Sequence, residues 1–147
     1  MKKVVLIPLM ATGILMGCQE TQQNQQQAAS SVEMQKLSWV GHYQGTTPCM
    51  GCLSRCEDCP GMAVKLALHE NMTYILERES LSGHNTVEVL QGQLKFSDDA
   101  QTQLELVDVQ SRNLMVVDVL KKQLEIRQDE TAQKHQMQSD FILAKQI

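Results

Sequence analysis

Short runs in which apolar and polar residues alternate dominate the chain from residue 37 onward. Such spacing is typical of β-strands with one buried face. The runs are Leu37–Tyr43, Val64–Leu68, Thr73–Leu76, Thr86–Leu90, Gly92–Phe96, Leu104–Val109, Leu114–Val119 and Phe141–Leu143. Turn-forming residues separate them, for example Ser97–Ala100 and Gln110–Asn113. The pattern predicts an all-β domain of about eight strands, in an antiparallel meander that curls into a small barrel or sandwich.

The segment 120–138 is the one place where the pattern is ambiguous. It is rich in Lys, Gln, Glu and Met, which are good helix formers, so one or two helical turns are the alternative there. We predict a strand and a loop in this segment. Because the chain has only five Phe, Trp and Tyr residues, the core is expected to be mostly aliphatic.

The N-terminus has the pattern of an export signal. Lys2 and Lys3 precede the apolar run Val4–Met16, which is shorter than the roughly 20 residues of a membrane-spanning helix and fits a signal peptide. Gly17 then stands directly before Cys18. This resembles the lipobox of bacterial lipoproteins, which implies cleavage after residue 17 and a lipid on Cys18. The alternative is an ordinary signal peptide with an incidental cysteine.

The residues after Cys18 predict the membrane to which the protein is sorted and a flexible linker. Gln19 stands where enterobacterial lipoproteins kept in the inner membrane tend to carry Asp, so the resemblance implies the outer membrane. The segment 19–31 holds six Gln and one charge, and such a composition cannot bury enough surface to fold. We therefore predict a lipoprotein signal peptide over 1–17, a lipidated cysteine and flexible linker over 18–36, and a barrel domain over 37–147.

Charge and motifs exclude several classes of function. Without Lys2 and Lys3 the mature chain has 11 basic and 17 acidic residues, a formal net charge of −6. No basic cluster offsets this charge, so we expect no nucleic-acid partner. The sequence has no Gly-rich phosphate loop, no His-Glu-x-x-His and no Gly-x-Ser-x-Gly, and Asp98-Asp99 is better explained as a solvated turn. We expect no enzyme.

The richest chemistry lies between Pro48 and Gly61. This segment reads PCMGCLSRCEDCPG and holds four of the five cysteines, Cys49, Cys52, Cys56 and Cys59, as two CxxC pairs. In an exported protein these can pair as disulfides that only staple the loop. Reduced, the soft sulfurs suit Cu(I) and also Zn. A redox centre is the third hypothesis, although CxxC redox centres usually stand at a helix start in a βαβ unit, which the pattern lacks.

Several nearby side chains are candidate accessory ligands. Met50 and Met62 flank the cysteines and carry thioethers, and His42 and His69 carry imidazoles. Each also has a plain structural explanation: Met50 as an exposed loop residue, Met62 as strand core, and the histidines as surface residues of strands.

The residues from Trp39 onward resemble a known family. The similarity is carried by Trp39-x-Gly41-x-Tyr43-x-Gly45-x-x-Pro48-Cys49, then by Cys59-Pro-Gly61-Met62 and the run Val64–Leu68. These residues are similar to the N-terminal domain of the NlpE family, which consists of copper-resistance or copper-homeostasis lipoproteins of the outer membrane. Tyr74-x-Leu76, Gly92 and Phe141-x-Leu143 extend the similarity over almost the whole mature domain.

The resemblance implies a lipocalin-like barrel, a role in copper homeostasis and envelope stress, and signalling through the Cpx envelope sensor system. The family motif has a single CxxC followed by glycine, whereas this chain has two, so either pair can be the family pair. Some members also carry a second, OB-like domain. The resulting hypothesis is a lipid-anchored barrel that senses or buffers copper and redox stress. Two alternatives stay open: an interaction lipoprotein with a disulfide-stapled loop, and a lipocalin-like carrier of a small ligand.

Overall fold

Eight β-strands in chain order make up nearly all of the regular structure. The structure is a computed structural model that describes residues 38–83 and 86–147; the predicted signal peptide, Cys18, the linker and Leu37 lie outside the described residues. The strands are β1 Gly41–Thr47, β2 Met62–Leu68, β3 Thr73–Ser80, β4 Val87–Phe96, β5 Gln103–Leu106, β6 Leu114–Asp118, β7 Gln123–Ile126 and β8 Ile142–Lys145. A single 3-10 turn, Gln138–Phe141, leads into β8.

Each strand pairs antiparallel with the next along the chain, and β8 pairs with β1, so the sheet closes into a barrel. The registers begin with Gly41 opposite Leu68 and continue around the barrel to Leu124 opposite Leu143. This confirms the prediction of an all-β antiparallel barrel. Closure also gives every strand a neighbour on each side, which reduces the unpaired backbone that an open sheet would expose.

Two boundaries in the sequence prediction were wrong. Residues 86–90 and 92–96 belong to one strand, β4, because Gly92 continues the ladder opposite Tyr74; a Cβ at Gly92 would lie 3.0 Å from the Tyr74 hydroxyl. The first strand begins at Gly41, later than the alternation suggested. The strand and loop predicted for the segment 120–138 are confirmed: β7 lies there, because pairing with β6 and β8 overrides helix propensity.

The barrel interior is filled mainly by aliphatic side chains, as the composition predicted. Inward-facing positions alternate along every strand, and seventeen hydrophobic side chains are buried. The most deeply buried large ones are Trp39, Tyr74, Phe141, Leu66, Leu68, Leu76, Leu104, Leu106, Leu124 and Leu143. Burial on this scale is the main stabilising term of the fold.

The up-and-down topology separates the connections into two ends. The loops 48–61, 107–113 and 127–141 lie at one end together with residues 81–83, and we call this the upper end. The short turns 69–72, 97–102 and 119–122 lie at the other, the lower end. Residue 38 also lies at the lower end, where its carbonyl accepts a hydrogen bond from Lys145 (2.7 Å). Among residues 38–83 and 86–147, no helix has the length and apolarity needed to cross a membrane.

Candidate functional site

The four cysteines lie in the loop 48–61 between β1 and β2, which we call the cysteine loop. All four are free thiols; Cys56 is exposed and the other three are half-buried. Each CxxC forms one tight turn, since Cys52 N–H donates to Cys49 O (2.9 Å) and Cys59 N–H donates to Cys56 O (3.1 Å). A turn of this kind brings the two sulfurs of each pair to the same side of the loop.

The thiols of the cysteine loop influence one another's pKa, both within each pair and between Cys49 and Cys59. Burial and the Cys49 thiol raise the pKa of Cys52. The hydrogen bond with Cys56, followed by burial, raises the pKa of Cys59 to about 12. At neutral pH these two cysteines are therefore protonated until a metal or an oxidant removes the proton.

Arg112 holds the start of the cysteine loop from the opposite side of the barrel. Its guanidinium donates to Thr47 Oγ1 (3.0 Å), Pro48 O (2.7 Å) and Cys49 O (2.7 Å), with a longer contact to Cys52 O (3.5 Å). A guanidinium presents several donors in one plane, so it can bind successive carbonyls of a turning chain. The path of the first CxxC therefore depends on this one side chain.

The charge of Arg112 is almost buried, with 8% of the residue exposed. Within the described residues no carboxylate forms an ion pair with its guanidinium, although its backbone N–H donates to Asp129 Oδ1 (2.6 Å). Its guanidinium carbon lies 5.2 Å from the centre of the Phe141 ring, whose other neighbour is the stacked His135 ring. Burial lowers the pKa of Arg112, while its charge opposes the rise in the pKa of Cys52. The site thus holds a positive charge beside the first cysteine pair.

Asp140 holds the middle of the loop. Its carboxylate accepts hydrogen bonds from Arg55 N–H (3.0 Å) and Arg55 Nε (3.2 Å). These bonds, the backbone one foremost, lower the pKa of Asp140. Arg55 lies between the two CxxC pairs, so Asp140 fixes the spacer that sets their separation.

Gly61 ends the loop where two backbones come close. Its φ is +84°, and a Cβ there would lie 2.4 Å from Thr47 O. Gly51, inside the first CxxC, has a similar φ of +82° but open space around its Cα. Gly61 therefore requires glycine for close packing as well as for backbone conformation, whereas Gly51 requires it for conformation alone.

The structure places the candidate accessory ligands in different regions. Met50 (43% exposed) and Met62 lie at the upper end, where both line a cavity of about 10 Å³ together with Arg112 and Met115. His42 points outward near the start of β1, opposite Ala67, and shares a surface groove with His69. Thr47 lies five positions beyond His42 along β1, a rise of roughly 17 Å. The structure thus brings the two methionines, and not His42, toward the cysteines.

The sulfur donors of the cysteine loop suit a soft metal ion, but their arrangement restricts how many of them can bind one ion. Four free thiols in one loop match the preference of Cu(I) for sulfur. In the described part of the chain, however, no three Cys, His, Asp or Glu side chains are arranged to hold one ion together. A pair of sulfurs suits Cu(I), which accepts low coordination numbers, whereas a four-sulfur Zn site would require the loop to rearrange.

Comparison with known proteins is consistent with this architecture. Residues 43–139 match the family described as the NlpE N-terminal domain. The chain belongs to this family. The match includes the whole cysteine loop and Arg112, so both lie within the NlpE domain itself.

A solved structure shares the fold. It is a crystal structure of a candidate lipoprotein from Shewanella oneidensis, with a TM-score of 0.57 and 22% sequence identity, covering 74% of this chain and 89% of that one. At this identity the similarity shows the fold alone. No curated protein matches the chain significantly.

Sequence reasoning missed the residues that hold the loop. Arg112 lies in a segment that the sequence marks only as a turn, and Asp140 lies just before the last strand. The two residues contact a loop that is 63 and 85 positions away, respectively. No local spacing distinguishes Arg112 from the other arginines, so no signal in a single sequence could have identified it.

Proposed function

We propose that this protein is a lipid-anchored envelope protein of copper homeostasis, in which the cysteine loop binds Cu(I) or responds to redox state. The observation that carries the proposal is the placement of four free thiols in one loop beside the buried charge of Arg112. Membership of the NlpE domain family supports the same role.

The raised pKa values of the thiols set the proton balance of metal binding and of oxidation. Thiolates, not thiols, bind metals and attack disulfides. Because the pKa of Cys59 is raised to about 12, either event must displace a proton from the resting loop. Cu(I) binding at Cys49 and Cys52 would release protons and place negative charge close to Arg112. In the redox alternative, one CxxC forms a disulfide and passes two electrons and two protons to an external disulfide oxidant.

Cys18 is proposed to carry the lipid, and Gln19 to direct the protein to the outer membrane. Residue 38 lies at the lower end of the barrel and the cysteine loop at the upper end. The chain thus enters the barrel at the end opposite to the cysteine loop, and we propose that the anchored domain faces the periplasm. We propose a Cpx-type envelope sensor as the partner that reads this loop, and no catalytic activity of the domain.

Thiol counting and a Cu(I) titration test the central claim. Protein isolated from the periplasmic side under native redox conditions is alkylated and its free thiols are counted by mass spectrometry. The reduced protein is then titrated with Cu(I) against a competing chelator. Two stable disulfides and no tight Cu(I) binding would rule out the metal site.

Two double variants identify the working pair. We expect Cys49→Ser with Cys52→Ser to weaken Cu(I) binding more than Cys56→Ser with Cys59→Ser, because only the first pair lies beside Arg112. Equal losses would show that the four sulfurs act together.

The anchor has its own test. Metabolic labelling with a fatty acid should label the wild type and not Cys18→Ala, and the variant should leave the membrane fraction. Labelling that persists in Cys18→Ala would exclude lipidation at this cysteine.

The backbone bridge between Cys56 and Cys59 favours a second candidate, an interaction lipoprotein in which a disulfide only shapes the loop. The thiol count separates this candidate from the first. The carrier hypothesis finds less support, because seventeen hydrophobic side chains fill the barrel and the space beneath the cysteine loop is only about 10 Å³. Such a space is about the size of one water molecule.

A further inference from the structure

One strand of the barrel is longer than its neighbour. β4 has ten residues and pairs with β3 from Val87 to Gln93. On its other side, β5 pairs only with Leu94–Phe96, and one further bond joins Val107 N–H to Gln93 O (2.9 Å). The first half of β4 therefore has a neighbouring strand on one side only.

The hydrogen-bond pattern shows which backbone groups face the free side. Gln93 O accepts from β5 and Leu94 N–H donates to Met72 O, so odd-numbered residues of β4 point toward the β5 side and even-numbered ones toward β3. The N–H and C=O groups of Val87, Val89 and Gln91 thus point outward along the free edge. Among the described residues, none of these groups has a hydrogen-bond partner.

This edge lacks the devices that protect exposed strands. Residues 87–93 contain no Lys, no Pro and no bulge, and Val87 and Val89 are 54% and 59% exposed. The only charge in the segment is Glu88, which forms an ion pair with Arg78 (3.5 Å) on the inner side of the hairpin. The edge therefore offers paired donors and acceptors, apolar side chains and no repelling charge.

We propose that the free edge of β4 pairs with the same edge of a second copy of this chain. The two strands run antiparallel about a two-fold axis at Val89, so that Val89 faces its own symmetry mate and Val87 faces Gln91 of the other copy. Such a pairing forms about six backbone hydrogen bonds. This inference is independent of the proposed function of the cysteine loop.

The choice of a second copy of this chain as the partner follows from the self-complementarity of residues 87–91. In this register all three outward-pointing residues meet a residue whose backbone groups are also free, so every edge donor finds an acceptor. Glu88 lies opposite Leu90 of the other copy, so no carboxylates meet. The pairing cannot extend past Gln91, because β5 occupies the edge from Gln93 onward. The short contact predicts a weak, reversible dimer.

The test uses the full-length chain, purified in detergent with a reductant so that cysteine cross-links are excluded. Sedimentation velocity in density-matched detergent measures the oligomeric state over a range of concentrations. The variant Val89→Lys places a charge on the edge without removing a buried group. The matched control Ile75→Lys makes the same kind of change on the outer face of β3, a strand whose two edges are both paired.

We expect wild type and Ile75→Lys to dimerise as concentration rises, and Val89→Lys to stay monomeric while keeping the wild-type circular dichroism. Amide exchange gives a second readout: Val87, Val89 and Gln91 should exchange at least tenfold more slowly in the dimer, whereas Glu88 and Leu90, already bonded to β3, should change little. A wild type that stays monomeric at all concentrations, or a Val89→Lys variant that dimerises as well as wild type, would overturn the proposal.

Discussion

Arg112→Met gives the sharpest test of how the cysteine loop is held. Methionine preserves much of the side-chain volume and, like arginine, must adopt the left-handed backbone at this position (φ 57°), so the change mainly removes the guanidinium. Three hydrogen bonds of 2.7–3.0 Å to Thr47, Pro48 and Cys49 are lost. A bond from a charged donor contributes about 1.5–3 kcal/mol.

The net effect is smaller than the sum of these bonds, because the variant no longer has to desolvate a buried charge. We expect a loss of about 2–4 kcal/mol in the free energy of unfolding. The Cys52 amide, which bonds to the carbonyl of Cys49, should exchange with solvent about 10–100 times faster, since each 1.4 kcal/mol of local stability is a factor of ten.

Arg78→Met is the matched control. Arg78 is also buried at the upper end, where it donates to Ser111 O (2.6 Å) and pairs with Glu88, and among the described residues it has no hydrogen bond or ion pair with the cysteine loop. We expect the control to lower stability while leaving the exchange of the Cys52 amide near the wild-type rate. Urea unfolding and amide exchange followed by NMR measure both effects. If Arg112→Met keeps the wild-type exchange rate at Cys52, or if Arg78→Met accelerates it equally, the guanidinium is not the anchor of the loop.

Three further predictions follow from the geometry of the upper and lower ends. Gly61→Ala should lose about 1–2 kcal/mol more stability in urea unfolding than Gly51→Ala. Both positions have positive φ, but only at Gly61 would the new Cβ clash with a backbone carbonyl, that of Thr47. Equal losses would show that this clash does not contribute. Burial raises the pKa of Tyr43 to about 12, so the folded state holds the phenolic proton more tightly than the unfolded state. In urea unfolding, the stability advantage of wild type over Tyr43→Phe should therefore be complete below about pH 10 and shrink as the pH rises toward 12. A stability advantage independent of pH would contradict this. The pKa of Asp140 is lowered, so its hydrogen bonds to Arg55 should persist above the ordinary pKa of aspartate and weaken as the pH falls below it. At neutral pH, Asp140→Asn should accelerate the exchange of the Arg55 amide with solvent. An unchanged exchange rate would show that this carboxylate does not fix the spacer.

Strand periodicity was enough to predict most of the fold. Alternation such as Val64-Lys-Leu-Ala-Leu68 records which side of the sheet is buried, and burial alternates along a strand whatever its partners are. The same rule failed at Gly92, which looked like a break because the Tyr74 ring that lies against it is eighteen positions earlier in the chain. It succeeded for β7, which was predicted as a strand although it lies in a segment of helix formers.

By itself the sequence determined the class of the domain, the placement of four cysteines in one loop and the similarity to the NlpE family, because each depends on local spacing or on a short motif. The tertiary structure decided which groups act on that loop. Arg112 and Asp140 reach the cysteine loop only because barrel closure brings segments 63 and 85 positions apart to the same end. The strand registers likewise decided that half of one edge of β4 has no neighbouring strand. Such contacts depend on the order and register of strands around the barrel, which no local pattern of side chains records.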